Sequence, residues 1–263
     1  KERGEPVGPA HRFRIASVSK PITRVAIARL IQDTGLNSNS SVFGANSELG
    51  DEFPTPAANP DIEDITVDHL VRHRAGFVNI DKDDSKSDPM FAYTGSSHAG
   101  LIEWTLKNYP LGYDPGTDPD PKKIDTYSNF GYCLLGRVIE ARSGKTYEAY
   151  VRDAILKPAG ASGMVIGGDK EADRKPREVK YYGGGAYSSV KPERFDSHGG
   201  WIATSINLLR FMRHETALPT SYAHYGEMSG TMSVYRRRND GFGFAASTNT
   251  SNKSTKAMNT LLQ

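Results

Sequence analysis

Asn239-Asp240-Gly241 sits between two strand-like runs, Thr231 to Arg237 and Phe242 to Thr248. An Asn/Asp-Gly pair at such a position is a strong hairpin signal, because tight hairpin turns need backbone with positive φ. Ser221 to Gly226 reads as a third strand. Upstream of Pro219 the pattern is helical. Apolar residues recur at helical spacing from Ser17 to Gly35, Thr66 to Arg74, Ser97 to Tyr109, Asn129 to Gly144, Thr146 to the residue before Pro158, and Thr204 to Glu215. A closing helix is expected over Ser254 to Leu262. Asn37 to Pro60, Asp81 to Pro89 and Asp114 to Lys123 read as loops, rich in turn formers. A long helical stretch followed by an antiparallel end predicts an α+β fold, not a βαβ alternation.

Composition narrows the function classes. With 263 residues the chain makes one large domain or two intertwined ones. The 33 basic and 31 acidic side chains nearly balance, at a net charge of +2, so nucleic acid is not an expected partner. No apolar run reaches the roughly 18 residues of a membrane span. A single cysteine, Cys133, excludes an internal disulfide framework and a multi-cysteine metal site, and it reads as a core residue. Lys1 to Arg12 is polar and does not read as a signal peptide, so the compartment is open.

Three short motifs carry chemistry. In Ser17-Val18-Ser19-Lys20, helical spacing puts Lys20 beside Ser17. A serine hydroxyl becomes a nucleophile when a neighbouring base takes its proton, and a helix N-terminus favours an oxyanion. Taken alone, Ser17 is also an ordinary helix cap. In Tyr127-Ser128-Asn129, a tyrosine with a lowered pKa can serve as a general base, and the Asn129 amide can hold a substrate carbonyl. The plain alternative is a turn tyrosine and an N-cap asparagine. In His224-Tyr225-Gly226, a glycine on a strand edge permits close backbone approach, and the histidine can donate a hydrogen bond or move a proton. It also reads as a partly exposed strand histidine.

The order and context of these motifs resemble the penicillin-recognising serine hydrolases: class C serine β-lactamases, DD-peptidases and related esterases. Phe13 to Pro21 is similar to the family's nucleophile segment, and Val67 to Phe77 to a helix-ending segment near its active site. Tyr127 to Gly144 with Thr146 to Pro158 is similar to its second-motif helix pair. Gly199 to Ser205 resembles the segment before its late helix, and His224 to Gly230 resembles an esterase-type third box. The resemblance implies a β-lactamase/transpeptidase-like fold, with an antiparallel sheet flanked by helices and a mostly helical subdomain over roughly 36–195. The sheet-bearing part would be roughly 1–35 and 196–263.

Carried over, Ser17 would be the acyl-accepting nucleophile. Lys20 and Tyr127 would supply the base, with their shares unsettled. Asn129 would orient the substrate amide or ester, with His224 and Gly226 binding substrate. The backbone N–H groups of Ser17 and Glu227 would form the oxyanion hole. No metal or cofactor is implied. The expected substrate is a small-molecule or peptide-like ester or amide.

Three departures shape that expectation. His224 stands where many relatives have lysine. Glu227 occupies the oxyanion position, where relatives often have a small residue, and its carboxylate repels an anionic substrate. Both favour an esterase or amidase for substrates without negative charge. The alternatives are a DD-peptidase or β-lactamase, and a catalytically silent binding or scaffold protein on the same fold. Thirdly, only 16 residues precede Ser17, whereas relatives place a helix and two strands there. Either the sheet would then be reduced to about three strands, with an edge open to association, or another segment would supply the missing strands.

Other features read blandly. His69 and His73, spaced i, i+4, lack a third zinc ligand and read as solvent-facing or capping residues. His198 rivals His224 as an active-site histidine. Gly183-Gly184-Gly185 lacks the context of a phosphate loop. Arg236-Arg237-Arg238 reads as a solvated turn. Asn39, Asn249 and Asn252 begin Asn-x-Ser/Thr triplets, meaningful only in a chain secreted from a eukaryote.

Overall fold

The computed structural model describes residues 6–50, 52–56, 59–78, 88–122 and 124–250. In chain order its elements are β1 (Phe13–Arg14), α1 (Ser19–Thr34), α2 (Val67–Val71), α3 (Pro89–Ala92), α4 (His98–Asn108), α5 (Asn129–Ser143), α6 (Tyr147–Val151), β2 (Val165–Ile166), β3 (Trp201–Ala203), α7 (Ser205–His214), β4 (Tyr222–Met228), β5 (Thr231–Arg237) and β6 (Gly243–Thr248). Helices dominate the first part and an antiparallel sheet the last, so the fold is α+β as the pattern predicts. The closing helix expected over residues 254–262, and Asn252, lie outside the described residues. Among the described residues no helix is long and apolar enough to cross a membrane.

The chain divides into two compact units, residues 1–26 with 148–263, and residues 27–147. The first holds both sheets. One is antiparallel in the order β4-β5-β6, with Met228 paired to Thr231 and Arg237 to Gly243. The turn at 239–241 closes the hairpin, with Gly241 at φ 85°. The second sheet, β1-β3-β2, is formed by strands of two or three residues. Helix α7 packs on β6, and Gly243 makes this possible: a Cβ there would stand 2.3 Å from Met212 Sδ. Arg237 secures the end of that helix. Its guanidinium donates to the carbonyls of Met212 (3.2 Å), Glu215 (2.8 Å), Leu218 (2.6 Å) and Pro219 (2.6 Å). Helix C-termini leave such carbonyls without backbone partners. Arg237 is therefore a capping residue and not part of a solvated turn, whereas Arg238 does pair with Asp240 in the turn at 2.7 Å.

The second unit is helical. α2 and α3 pack on α5, and α3 also meets α4. Leu70, Met90, Leu101, Ile102, Phe130, Cys133, Leu134 and Val138 are buried there. Its helices begin where side chains can accept orphan N–H groups: Thr66 from His69, Ser97 from Gly100, Ser128 from Gly131. Gly144, at φ 65°, ends α5 as a left-handed cap. Two sequence expectations need correction. Ser128, not Asn129, caps α5. His73 lies beyond α2, at φ 59°, so it does not share a helical face with His69. In the first unit the helix expected to reach Pro158 stops at Val151 and continues as a π turn, Arg152–Leu156. Its closing bond runs from Lys157 N–H to Arg152 O at 2.9 Å.

Arg14 is the most deeply buried cation of the sheet-bearing unit's N-terminal strand, at 1% exposure. Its Nη1 donates to Ala186 O at 2.5 Å and its Nη2 to Gly168 O at 3.0 Å. Its Nε lies 3.8 Å from Glu178 Oε1, and its guanidinium stacks over the rings of Tyr181 and Tyr187. Tyr181 completes the cluster, donating to Glu178 and accepting the Arg14 N–H. Burial, reinforced by the Glu178 charge, raises the Tyr181 hydroxyl well above the ordinary phenol range. Removing one member of a buried pair leaves an uncompensated charge. Arg14→Leu is expected to lose about 3–5 kcal/mol of unfolding free energy in urea titrations.

Candidate active site

The segment before α1 forms a tight turn. Ala16–Val18 is a short 3-10 helix, and Ser17 lies in it, so Ser17 precedes α1 instead of capping it. Ala16 has φ 49°, a left-handed conformation that a residue with a Cβ adopts rarely and at a cost. Neighbouring strands hold it there. Ile15 N–H donates to Trp201 O at 3.1 Å, and Ser233 Oγ donates to Ile15 O at 2.5 Å. Thr231 Oγ1 donates to Arg14 O at 2.9 Å. The first turns of α1 are tied to the start of β3 and to the chain before it: Trp201 N–H donates to Ser19 Oγ (3.3 Å), and Thr23 Oγ1 donates to Ser197 O (2.5 Å).

Within this frame Lys20 is fully buried, and its Nζ donates to Ser17 Oγ at 3.1 Å and to His198 O at 3.2 Å. The i, i+3 spacing thus puts the amine and the hydroxyl in contact. His198 is buried with its ring against Phe195, at a centroid distance of 4.8 Å. It meets Lys20 through its backbone carbonyl.

Edge strand β4 runs against this turn. Gly226 permits the approach, since a Cβ there would lie 2.1 Å from Ile15 O and 2.5 Å from Ser233 Oγ. Glu227 follows it, exposed, opposite Met232. His224 is half-buried on the same strand, opposite Tyr235, and its Nδ1 lies 3.1 Å from Tyr225 O. Burial lowers the His224 pKa to about 4, with the Lys20 ammonium adding to the shift. The imidazole is therefore neutral near pH 7.

Tyr127 and Asn129 belong to the second unit, where each has a defined setting. Tyr127 follows an Asx turn, its N–H donating to Asp125 Oδ1 at 3.0 Å. Its ring stacks on His73 (4.6 Å, 27°), which stacks on Tyr132 (5.0 Å, 29°). His73 is held in turn by Ser128 N–H, which donates to its Nδ1 at 3.1 Å. Asn129 donates to Asp88 Oδ2 through both its backbone N–H (3.1 Å) and its Nδ2 (2.8 Å). His73 and Asp88 were not singled out for these contacts by sequence reasoning. His69 helps cap α2 through its ring, and among the described residues no cluster of three metal-binding side chains occurs.

The geometry above meets an independent finding. A family profile described as Beta-lactamase matches residues 1–253. The chain belongs to the β-lactamase family. It is 33% identical over 162 residues to a Dichelobacter nodosus protein described as "Probable fimbrial assembly protein FimD, serogroup H1", covering 61% of this chain and 37% of that one. It is 26% identical over 150 residues to a penicillin-binding protein of Bacillus subtilis (strain 168), covering 56% and 29%. The chain thus spans only about a third of the length of these curated relatives. Among solved structures, D-amino acid amidase from Ochrobactrum anthropi SV3 with D-phenylalanine superposes with a TM-score of 0.72 at 19% identity. That match covers 98% of this chain and 93% of the amidase. A penicillin-binding protein from Bacillus halodurans gives 0.70 at 20% identity, covering 98% and 86%. These likenesses establish a β-lactamase/transpeptidase fold.

In this β-lactamase-family chain, the His224 environment makes a measurable prediction. Its folded pKa is depressed, so between about pH 6.5 and 4 the unfolded chain binds a proton that the folded chain does not. Stability from this group is full above pH 6.5 and is lost as pH falls toward 4. An NMR titration of the His224 ring should have its midpoint near pH 4. A midpoint near the ordinary histidine value of about 6.5 would contradict the site geometry.

Proposed function

We propose that the chain is a serine acyl hydrolase that forms a covalent ester on Ser17, with a preference for ester or amide substrates lacking a carboxylate. The observation that carries this reading is the contact of buried Lys20 Nζ with Ser17 Oγ at 3.1 Å in a turn braced on two sides. In the acylation step the Lys20 ammonium first gives up one proton to solvent; Ser17 Oγ then attacks the substrate carbonyl while its own proton passes to the lone pair so exposed on Lys20 Nζ. The carbonyl oxygen takes up the negative charge, facing the backbone N–H groups of Ser17 and Glu227. The carbonyl re-forms, and the leaving group departs with the proton. Water then attacks the acyl group, and Ser17 regains its proton. The roles of Tyr127 as partner in the base and of Asn129 in orienting substrate rest on the motif resemblance.

Support comes from family membership and from the fold shared with a D-amino acid amidase, a D-stereospecific amidohydrolase and a penicillin-binding protein. The preference against anionic substrates has its own support. A neutral His224 offers no positive charge to a substrate carboxylate at pH 7, and the exposed Glu227 carboxylate repels one. The relation to a penicillin-binding protein keeps a second reading, DD-peptidase or β-lactamase activity, and turnover decides between them. The purified protein is expected to hydrolyse p-nitrophenyl esters and to turn over nitrocefin slowly or not at all. Ser17→Ala should abolish the ester activity. Faster nitrocefin turnover would reverse the preference, and ester hydrolysis surviving in Ser17→Ala would remove Ser17 from the mechanism.

A further inference from the structure

We infer that Met228 is an oxidation site, which a hydroperoxide converts to the sulfoxide, and that this modification disables the turn bearing Ser17. The effect on activity rests on the proposed acyl-transfer reading, and every residue involved lies in the sheet-bearing unit. One observation is selective exposure. Met90, Met164, Met212 and Met232 are buried, at 0–3% exposure. Met228, at the end of β4, is half-buried, and among the described methionines it alone is open in part to solvent. The other observation is its position. Residues two apart on a strand share a face. Met228 therefore shares the face that Gly226 turns toward the Ser17 turn, where a Cβ on Gly226 would stand 2.1 Å from Ile15 O and 3.1 Å from Ala16 Cβ. A Cβ on Gly199 would stand 3.5 Å from Met228 Cε, 3.8 Å from Phe195 Cβ and 3.9 Å from the Ala16 carbonyl carbon. The methyl end of Met228 thus fills the space beside Gly199, next to the left-handed Ala16 that precedes Ser17.

A thioether needs no deprotonation to react. Its sulfur lone pair attacks one oxygen of the hydroperoxide, and an S–O bond forms as the O–O bond breaks. The other oxygen takes up the hydroperoxide proton and leaves as water or an alcohol. Sulfur is oxidised by two electrons and the hydroperoxide is reduced by two. The sulfoxide is polar where the thioether was apolar. Setting its S–O dipole against carbon atoms of Phe195, Gly199 and Ala16 is unfavourable, and an added heavy atom in a close contact pushes its neighbours apart. Ala16 is held at φ 49° by contacts from neighbouring strands, so a small displacement of β4 releases it. The N–H groups of Ser17 and Glu227, on the two sides of that contact, then no longer converge on one oxygen.

The test exposes the purified protein to hydrogen peroxide and follows peptide mass maps, hydrolysis of p-nitrophenyl acetate and nitrogen–proton correlation spectra with time. Met228 should gain an oxygen ahead of Met90, Met164, Met212 and Met232. In step with that sulfoxide, kcat/KM should fall by about tenfold or more, and the Ala16 and Ser17 amide resonances should shift. Methionine sulfoxide reductases acting on both epimers should restore the activity. Met228→Leu, a volume-conserving swap, should hydrolyse the ester at close to the wild-type rate and keep doing so in peroxide. The reductase arm uses the wild type, so it holds even where that variant folds poorly. Met228 oxidising no faster than the buried methionines, full activity in Met228-oxidised protein, or an equal loss in folded Met228→Leu overturns the proposal. Activity still lost once the sulfoxide has been reduced, or Ala16 and Ser17 amides unmoved by oxidation, overturns it too. Shifted amides in a protein that never hydrolysed the ester count against the acyl-transfer reading alone.

Discussion

Backbone contact between β4 and the turn that bears Ser17 is the constraint on which the rest of the sheet-bearing unit depends. A turn with Ala16 at φ 49° is not a conformation the chain adopts on its own. It is held because Ile15 is bonded through N–H to β3 and through its carbonyl to Ser233 on β5, and because Gly226 has no side chain to push β4 away. The hydrogen bonds that brace the turn also fix the start of α1, and with it Lys20. The Ser17–Lys20 contact is thus a product of tertiary packing as much as of helical spacing.

Burial and charge then divide the roles. Lys20 sits fully buried, with the His198 carbonyl as a second acceptor, whereas Ser17 is only partly covered. The Lys20 charge adds to burial in keeping His224 neutral. That strand position therefore carries a neutral imidazole near pH 7. In the helical unit, Tyr127 and Asn129 are each held by a residue from elsewhere in the chain. His73 stacks on the tyrosine ring, and Asp88 takes the asparagine amide.

Much of the fold was legible where the signal was local. The hairpin at 239–241, the strands on either side of it and the glycine ending α5 follow from turn chemistry and periodicity. The lysine at i+3 from Ser17 followed from spacing. What was missed has no local signature. Strands β1, β2 and β3 are two or three residues long, too short to show a period. Ser128 and Asn129 are adjacent and both are good caps, so the sequence could not choose between them. Arg14 and Arg237 look like surface cations until Glu178 and the end of α7 are placed beside them. Asp88 becomes informative only once α3 and α5 meet.

Ser17 as nucleophile is tested most directly by intact mass after reaction with a fluorophosphonate probe. The predicted result is one adduct, mapped to Ser17 by peptide sequencing and absent from Ser17→Ala. No adduct on the folded wild type, or an equal adduct on Ser17→Ala, would contradict it and favour a silent protein on the same fold.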